Sequence, residues 1–548
     1  MKRPGAPLAA ALLFAVIGAA RIIATWHEIA QTVDETPNIA CGMQWLDRGR
    51  YDLGPFHPPL SRIAMAIGPY LYGARSQGLP DRWKEGNAVL NSAKKPERAL
   101  KLARAGILPF FFAATLVVFF WTRRLAAGWA AVAAVFVFTN LPPVLAHSGI
   151  ATTDMAVAAG VPTALYAFVR WLDRPSAGSS VFLGLGLAFA FLSKFSALLS
   201  VSLTVALILV FYAAAERPGW RIPAARLKLL ALAAIVALAA IWAAYRFSWG
   251  RMSEPLVDDA TSQRGPLAHV PVPLLRAIQN SRLPAPQILD GLWAVHEHNY
   301  GGHAAYLLGQ FRMTGWWYFF PVALGVKAPI AFLLLSAAGI GWMLWRRPGW
   351  RFWVPLAGAF VILVMCMPAQ LNIGSRYLLP MFPLLSIVAG IAVARLFETR
   401  AGGAAAVALL GWLCLSSALA HPDYLAYFNE IAGSHPENFL VDSDLDWGQD
   451  VKRLCRRLKE LHVDRVYLAL HYSGDDTRLD LPPWEGLDPW QPVTGWVAAS
   501  FTRLKTYSWL VAREQGRSEP GFAWLERHQP VARVGKSILL YYIPAAAR

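Results

Sequence analysis

Charge is what this sequence has least of. Asp, Glu, Lys and Arg make up only 16% of its 548 residues, where a soluble domain carries roughly a quarter. That shortage excludes a soluble protein with one large core. Cysteine is scarce too: Cys41, Cys366, Cys414 and Cys455 are the only four, and none forms a CxxC pair, which argues against a zinc or dithiol motif. Cys366 and Cys414 lie in apolar runs and read as small hydrophobes. Cys41 and Cys455 could pair only if both face an oxidising compartment. No arginine-rich stretch interleaved with aromatics stands out, so a nucleic-acid partner is not expected. No small-x-small cleavage site follows the first apolar run, which is therefore read as a retained anchor. There is no internal repeat.

What is present is apolar. Hydrophobic residues make up 56% of the chain, and the mean hydropathy is +0.38. The 23 tryptophans suit interfacial belts. A net charge of +17 fits basic cytoplasmic loops and an anionic lipid headgroup.

A membrane crossing needs about 20 apolar residues. Candidates fall at roughly 7–26, 100–121, 127–146, 154–172, 178–193, 195–215, 228–247, 317–345, 351–369, 376–396 and 403–420, about eleven in all. Basic residues follow every second span: Lys2 and Arg3 before the first, then Arg123 and Arg124, Arg174, then Arg217, Arg221, Arg226 and Lys228, then Arg346, Arg347 and Arg351, and Arg400. Positive-inside bias then puts the N-terminus in the cytoplasm, and an odd count puts the C-terminus outside. The expected protein is a polytopic α-helical membrane protein. Residues 1–420 form its membrane domain, with outer loops 27–99 and 248–316. Residues 421–548 are long enough for a small extracytoplasmic α/β domain. In that tail, Val466–Leu470 and Ser537–Ile543 read as strands and Asp450–Leu461 as a helix. In the first loop, His57–Gly73 reads as an amphipathic return segment.

Chemistry is concentrated at the outer ends of the spans. Asp34 and Glu35 follow the first span, where two adjacent carboxylates are costly unless they have a use. Asp34 is the candidate general base, the alternative being a surface pair before the helix-breaking Pro37. In Phe56-His57-Pro58-Pro59-Leu60, the prolines stiffen the chain and fix His57, or His57 is simply a loop residue before a helix. Asp154, in Thr152-Thr153-Asp154-Met155, either caps the fourth span or faces the cavity of Asp34. Arg104, Lys194, Lys327 and Arg376 sit near outer helix ends. One or two of them are expected to bind a lipid phosphate, the alternatives being snorkelling or a carboxylate partner. Lys327 lies about ten residues into its span, roughly 15 Å deep by helical rise. The stretch from Asp442 to Asp450 alternates acids like a calcium loop, but Trp447 and Arg453 stand where Gly and Glu are required. An acid-rich helix start fits better, with a metal or acceptor role as the alternative.

Taken together, Asp34-Glu35, His57-Pro58-Pro59-Leu60, Thr153-Asp154-Met155, Leu192-Ser193-Lys194, Gly315-Trp316-Trp317-Tyr318, Lys327-Ala328-Pro329 and Arg376-Tyr377-Leu378-Leu379-Pro380 resemble the GT-C glycosyltransferases of the glycosyltransferase 39 group, the protein O-mannosyltransferase and aminoarabinose transferase type. The resemblance covers most of residues 1–420. It implies a GT-C fold and a polyprenyl-phosphate sugar donor. It further implies inverting transfer to an envelope acceptor (lipid, polysaccharide or protein) on the outer face. By motif, Asp34 would be the base, Glu35 and Asp154 would orient the acceptor or tune Asp34, and His57 would position substrate. Arg104, Lys194 and Arg376, with Lys327, would neutralise the leaving phosphate, and 248–316 would close over the site as a lid. Relatives of this type imply no metal and no cofactor beyond the donor. The tail, with Tyr427-Phe428-Asn429-Glu430 and Asp444–Asp450, looks like that of uncharacterised bacterial members. It does not resemble the MIR domain of eukaryotic mannosyltransferases, which weighs against a protein acceptor. The rival readings are a lipid flippase or transporter and a non-catalytic scaffold. The sequence does not address the oligomeric state.

Overall fold

A computed structural model of the chain describes residues 5–126, 128–217, 224–253 and 271–545. Lys2, Arg3 and Arg221 of the charge pattern, and residues 254–270 of the expected lid, lie outside the described residues. Every one of the eleven apolar stretches is helical. Among the described residues six helices are long and apolar enough to cross a membrane singly, or up to eight counting two bent pairs as spans, and Ala177–Ser193, Trp350–Cys366 and Met381–Leu396 are shorter.

The bent pairs are where proline interrupts the helical ladder. Gly128–Thr139 turns by 68° into Pro142–Ser148, and Phe319–Lys327 turns by 111° into Ile330–Arg346. Pro142 and Pro329 lack the N–H that a continuous helix needs, and each disfavours helical backbone in the residue before it. The stretch 317–345 is therefore not one straight span. Lys327 ends a nine-residue helix rather than lying 15 Å down a long one.

The bundle is packed inside and apolar outside. Met381–Leu396 and Asp154–Asp173 are almost wholly buried. Small residues allow close approach: a Cβ on Gly390 would sit 2.4 Å from that of Ala134. Ala224–Ala244 buries only Ala233 and Ala237 and shows Leu227, Ile235 and Leu238 on its exposed surface. An apolar face that size suits hydrocarbon as solvent, not water.

Charge sorts the two ends of the bundle. At one end Asp173 receives Arg124 at 2.6 Å and Arg351 at 2.7 Å. At the other end of the same 20-residue helix stands Asp154, about 30 Å away by helical rise. The helices Glu35–Met43, Pro59–Leu71, Arg82–Ser92 and Pro96–Ala105 pack on one another, and Glu35 bonds Ala151 N, three residues before Asp154. Within the stretch 57–73 read as a return segment, Pro59–Leu71 is helical, with Pro59 at its first turn.

The tail folds in two parts. Tyr424, Leu425, Ala432, Leu440 and Trp447 join the core of the helical bundle. Beyond them Val451–Glu460 packs on a five-stranded mixed sheet. Its strand order is Trp484–Gly486, Val466–Ala469, Gly495–Ser500, Ile538–Ile543, Ala532–Val534, with the first three parallel and the last two antiparallel to their neighbours. All four cysteines are free.

Candidate active site

The loop after the first helix, Ala6–Thr25, delivers Asp34 as the residue before Glu35–Met43. The two carboxylates then part company. Glu35 is fully buried and accepts four donors: Arg104 Nε and Nη2, both at 2.8 Å, Thr32 N at 2.8 Å and Ala151 N at 2.9 Å. Burial alone would raise its pKa. The Arg104 charge and the hydrogen bonds outweigh that and hold it below the ordinary glutamate value. The Asp34 side chain keeps 32% of its surface exposed and receives Arg376 Nη1 at 2.6 Å.

Arg376 lies in a short 3₁₀ turn, Ser375–Leu378, just before Met381–Leu396. Its guanidinium sits 4.7 Å from the Trp447 ring centre and 5.9 Å from that of Tyr377. Its Nε is buried with no partner among the described residues. Next to it, Lys194 Nζ donates to Asp154 Oδ1 at 2.7 Å and lies 4.6 Å from the Tyr377 ring centre. His147 Nδ1 is 4.0 Å from Asp154 Oδ2.

His57 closes the group. Its carbonyl accepts Tyr51 Oη at 2.7 Å and Arg62 Nη1 at 3.4 Å, while its buried Nδ1 has no partner among the described residues. Burial, then Arg62 and Lys194, then Arg376, drive its pKa well below the usual histidine value against the pull of Asp154. His57 is therefore a neutral imidazole at neutral pH. Arg62 is itself buried and has no carboxylate partner among the described residues, its donors going to Asn38, Tyr51 and the carbonyls of Gly54 and His57.

Five of the eight expected residues thus come together: Asp34, Arg376, Asp154, Lys194 and His57. Three do not offer the groups they were expected to offer. Arg104 commits four of its five N–H donors to Glu35 and the carbonyls of Ile29 and Ala30 and is 1% exposed, so it is turned towards the protein interior rather than towards a phosphate. Glu35 is correspondingly closed to an acceptor. Lys327 Nζ donates to the carbonyls of Leu425 at 2.9 Å and Asp444 at 2.6 Å, tying the tail to the bundle. Sequence reasoning missed Tyr377, His147 and Trp447 as site residues. The first stands beside Arg376 and the third within the acidic tail stretch, while His147 carries no local signal. Among the described residues no group of three His, Cys, Asp or Glu is placed to hold a metal ion.

The arrangement is a partly open carboxylate held by an arginine with a spare donor, beside a second acid–lysine pair. It can bind an oxyanion and accept a proton from a hydroxyl.

No protein-family model matches the sequence, and no curated protein matches it. Among solved structures the chain is similar to ArnT from Cupriavidus metallidurans bound to undecaprenyl phosphate, at 14% identity and TM-score 0.48, covering 96% of this chain and 97% of that one. It is similar to the oligosaccharyltransferase of Archaeoglobus fulgidus in its apo form, at 13% identity and TM-score 0.49, covering 99% of this chain and 76% of that one. It is also similar over 45% of its length, and 33% of the other chain, to the S. cerevisiae protein O-mannosyltransferase Pmt1–Pmt2 complex bound to the sugar donor, at 16% identity and TM-score 0.33.

Proposed function

We propose that the chain is an integral-membrane glycosyltransferase that moves a sugar from a polyprenyl-phosphate donor to a hydroxyl of an envelope acceptor, with inversion, on the outer face of a bacterial inner membrane. The observation that carries this reading is the Asp34–Arg376 pair, with Arg376 Nε buried and unpartnered among the described residues beside it. The site lies at the end of the bundle opposite the Arg124–Asp173–Arg351 cluster, which supports an outward orientation under the positive-inside bias. The motif resemblance of residues 1–420 supplies the donor class.

In this reading the donor phosphate draws Arg376 off Asp34 by offering it an oxyanion. Lys194 adds a second cation and is held in place by Asp154. The freed Asp34 carboxylate takes the proton of the acceptor hydroxyl. The acceptor oxygen bonds the anomeric carbon as the carbon–oxygen bond to phosphate breaks. The electron pair leaves on the lipid phosphate, where Arg376 and Lys194 stabilise the growing charge. Neutral His57 positions a sugar or acceptor hydroxyl by hydrogen bonding. Residues 421–548 are the extracytoplasmic part.

The test is to incubate the purified protein with a panel of radiolabelled polyprenyl-phosphate sugars and envelope extracts. Label is expected in one acceptor fraction with wild type and in none with Asp34→Asn. Equal labelling by the two proteins overturns the reading.

A further inference from the structure

We infer that the tail supplies part of this site: Trp447 is a positioning residue that holds the Arg376 guanidinium for an anionic phosphate, and Asp442–Asp450 is the strut that holds Trp447. The inference rests on the reading of Asp34 and Arg376 given above.

Trp447 is 2% exposed, and its ring lies 4.7 Å from Arg376 Cζ. A guanidinium lying over an aromatic face keeps its N–H fork free in its own plane. Of that fork, Nη1 holds Asp34 and Nε is unpartnered. The indole also meets the His147 ring edge to face, 6.3 Å away between centres.

The strut bonds to both halves of the site. Towards Asp34, Val33 N donates to the Trp447 carbonyl at 3.1 Å and Ala30 N to the Gln449 carbonyl at 2.8 Å. Trp447 N donates to Gln449 Oε1 at 2.8 Å, which fixes the turn between them. Towards Arg376, the Asp444 carboxylate accepts Ser375 N at 3.0 Å and Ser375 Oγ at 2.6 Å. Ser443 Oγ donates to the Ile373 carbonyl at 2.6 Å. One tail segment thus fastens the residues just before Asp34 and the residues just before Arg376.

The test measures binding of undecaprenyl phosphate to the full-length protein in detergent by calorimetry, with the melting temperature recorded for each variant. Wild type is expected to bind. Trp447→Leu is expected to weaken binding about tenfold, and Trp447→Phe to restore most of the loss. In an Arg376→Gln background, Trp447→Leu is expected to cost nothing further, because its effect passes through Arg376. Equal binding by wild type and Trp447→Leu, or the same loss in both backgrounds, overturns the inference. Should Trp447→Leu fail to fold, Trp447→Phe and Ser375→Ala carry the test. Trp447→Phe is then expected to bind nearly as well as wild type and Ser375→Ala, which loses its bond to the Asp444 carboxylate, to weaken binding about two- to fivefold; a Ser375→Ala protein that binds like wild type overturns the inference. Wild type that binds no undecaprenyl phosphate would instead sink the functional reading, and this inference with it.

Discussion

Asp34 and Glu35 are adjacent in the chain, yet each is held by a different arginine: Asp34 by Arg376 at 2.6 Å and Glu35 by Arg104 at 2.8 Å. The Glu35–Arg104 pair is wholly buried, with side-chain exposures of 0% and 1%. Removing one partner of such a pair strands a charge and costs about 3–5 kcal/mol. Glu35→Gln is therefore expected to lower the melting temperature steeply and to lose activity only as fast as it loses folded protein. Glu35→Met combined with Arg104→Met should recover part of that stability. A Glu35→Gln protein of wild-type stability that is inactive would return Glu35 to the chemistry.

The same pair sets an acid limit. Glu35 titrates below its ordinary value of 4.5 in the folded protein. Its contribution is therefore fully present above that value and is lost as pH falls through the lowered folded value. Melting temperature should drop on acidification below about pH 4.5, and Glu35→Gln, already destabilised, should drop less over that range. Parallel curves for the two proteins would contradict the assignment.

Asp34 should behave in the opposite way to Glu35. It is partly exposed and has one ion-pair partner. Asp34→Asn is thus expected to cost less stability than Glu35→Gln, the Arg376 charge it leaves being partly exposed and near Asp154. Loss of a general base costs about 10²–10⁴-fold in rate, so transfer of label should fall by that factor while undecaprenyl phosphate still binds. A variant that loses binding and transfer together would make Asp34 a structural partner of Arg376.

How much of this was legible in the sequence depends on the range of each interaction. Apolar runs of 20 residues are local, and all eleven fell on helices. The bends at Pro142 and Pro329 were visible as prolines but were hidden inside runs that read as continuous. Charges inside or beside spans were legible as charges, but their partners were not. Arg376 meets Asp34 across 342 positions and Lys194 meets Asp154 across 40, so nothing local distinguishes them from Arg104, which meets Glu35 across 69. Lys327 looked like a phosphate ligand for the same reason. Its true acceptors are backbone carbonyls, which leave no mark on a sequence. Trp447 was in view within an acidic stretch, but its closeness to Arg376 arises only when the tail folds back on the bundle.

Gly374 offers a last prediction, drawn from backbone rather than side chain. Its φ of 114° and ψ of 165° lie where glycine alone is comfortable, and a Cβ there would come 2.2 Å from Ser443 Oγ. Gly374→Ala therefore meets two obstacles, strain of about 1–3 kcal/mol and a collision with the strut that positions Arg376. Undecaprenyl phosphate binding should weaken and the melting temperature should fall. Adding Ser443→Ala removes the collision but leaves the strain. The double variant should accordingly recover part of the stability but not reach wild type. If Gly374→Ala alone bound and melted like wild type, the close fit of the tail against the residues preceding Arg376 would be refuted.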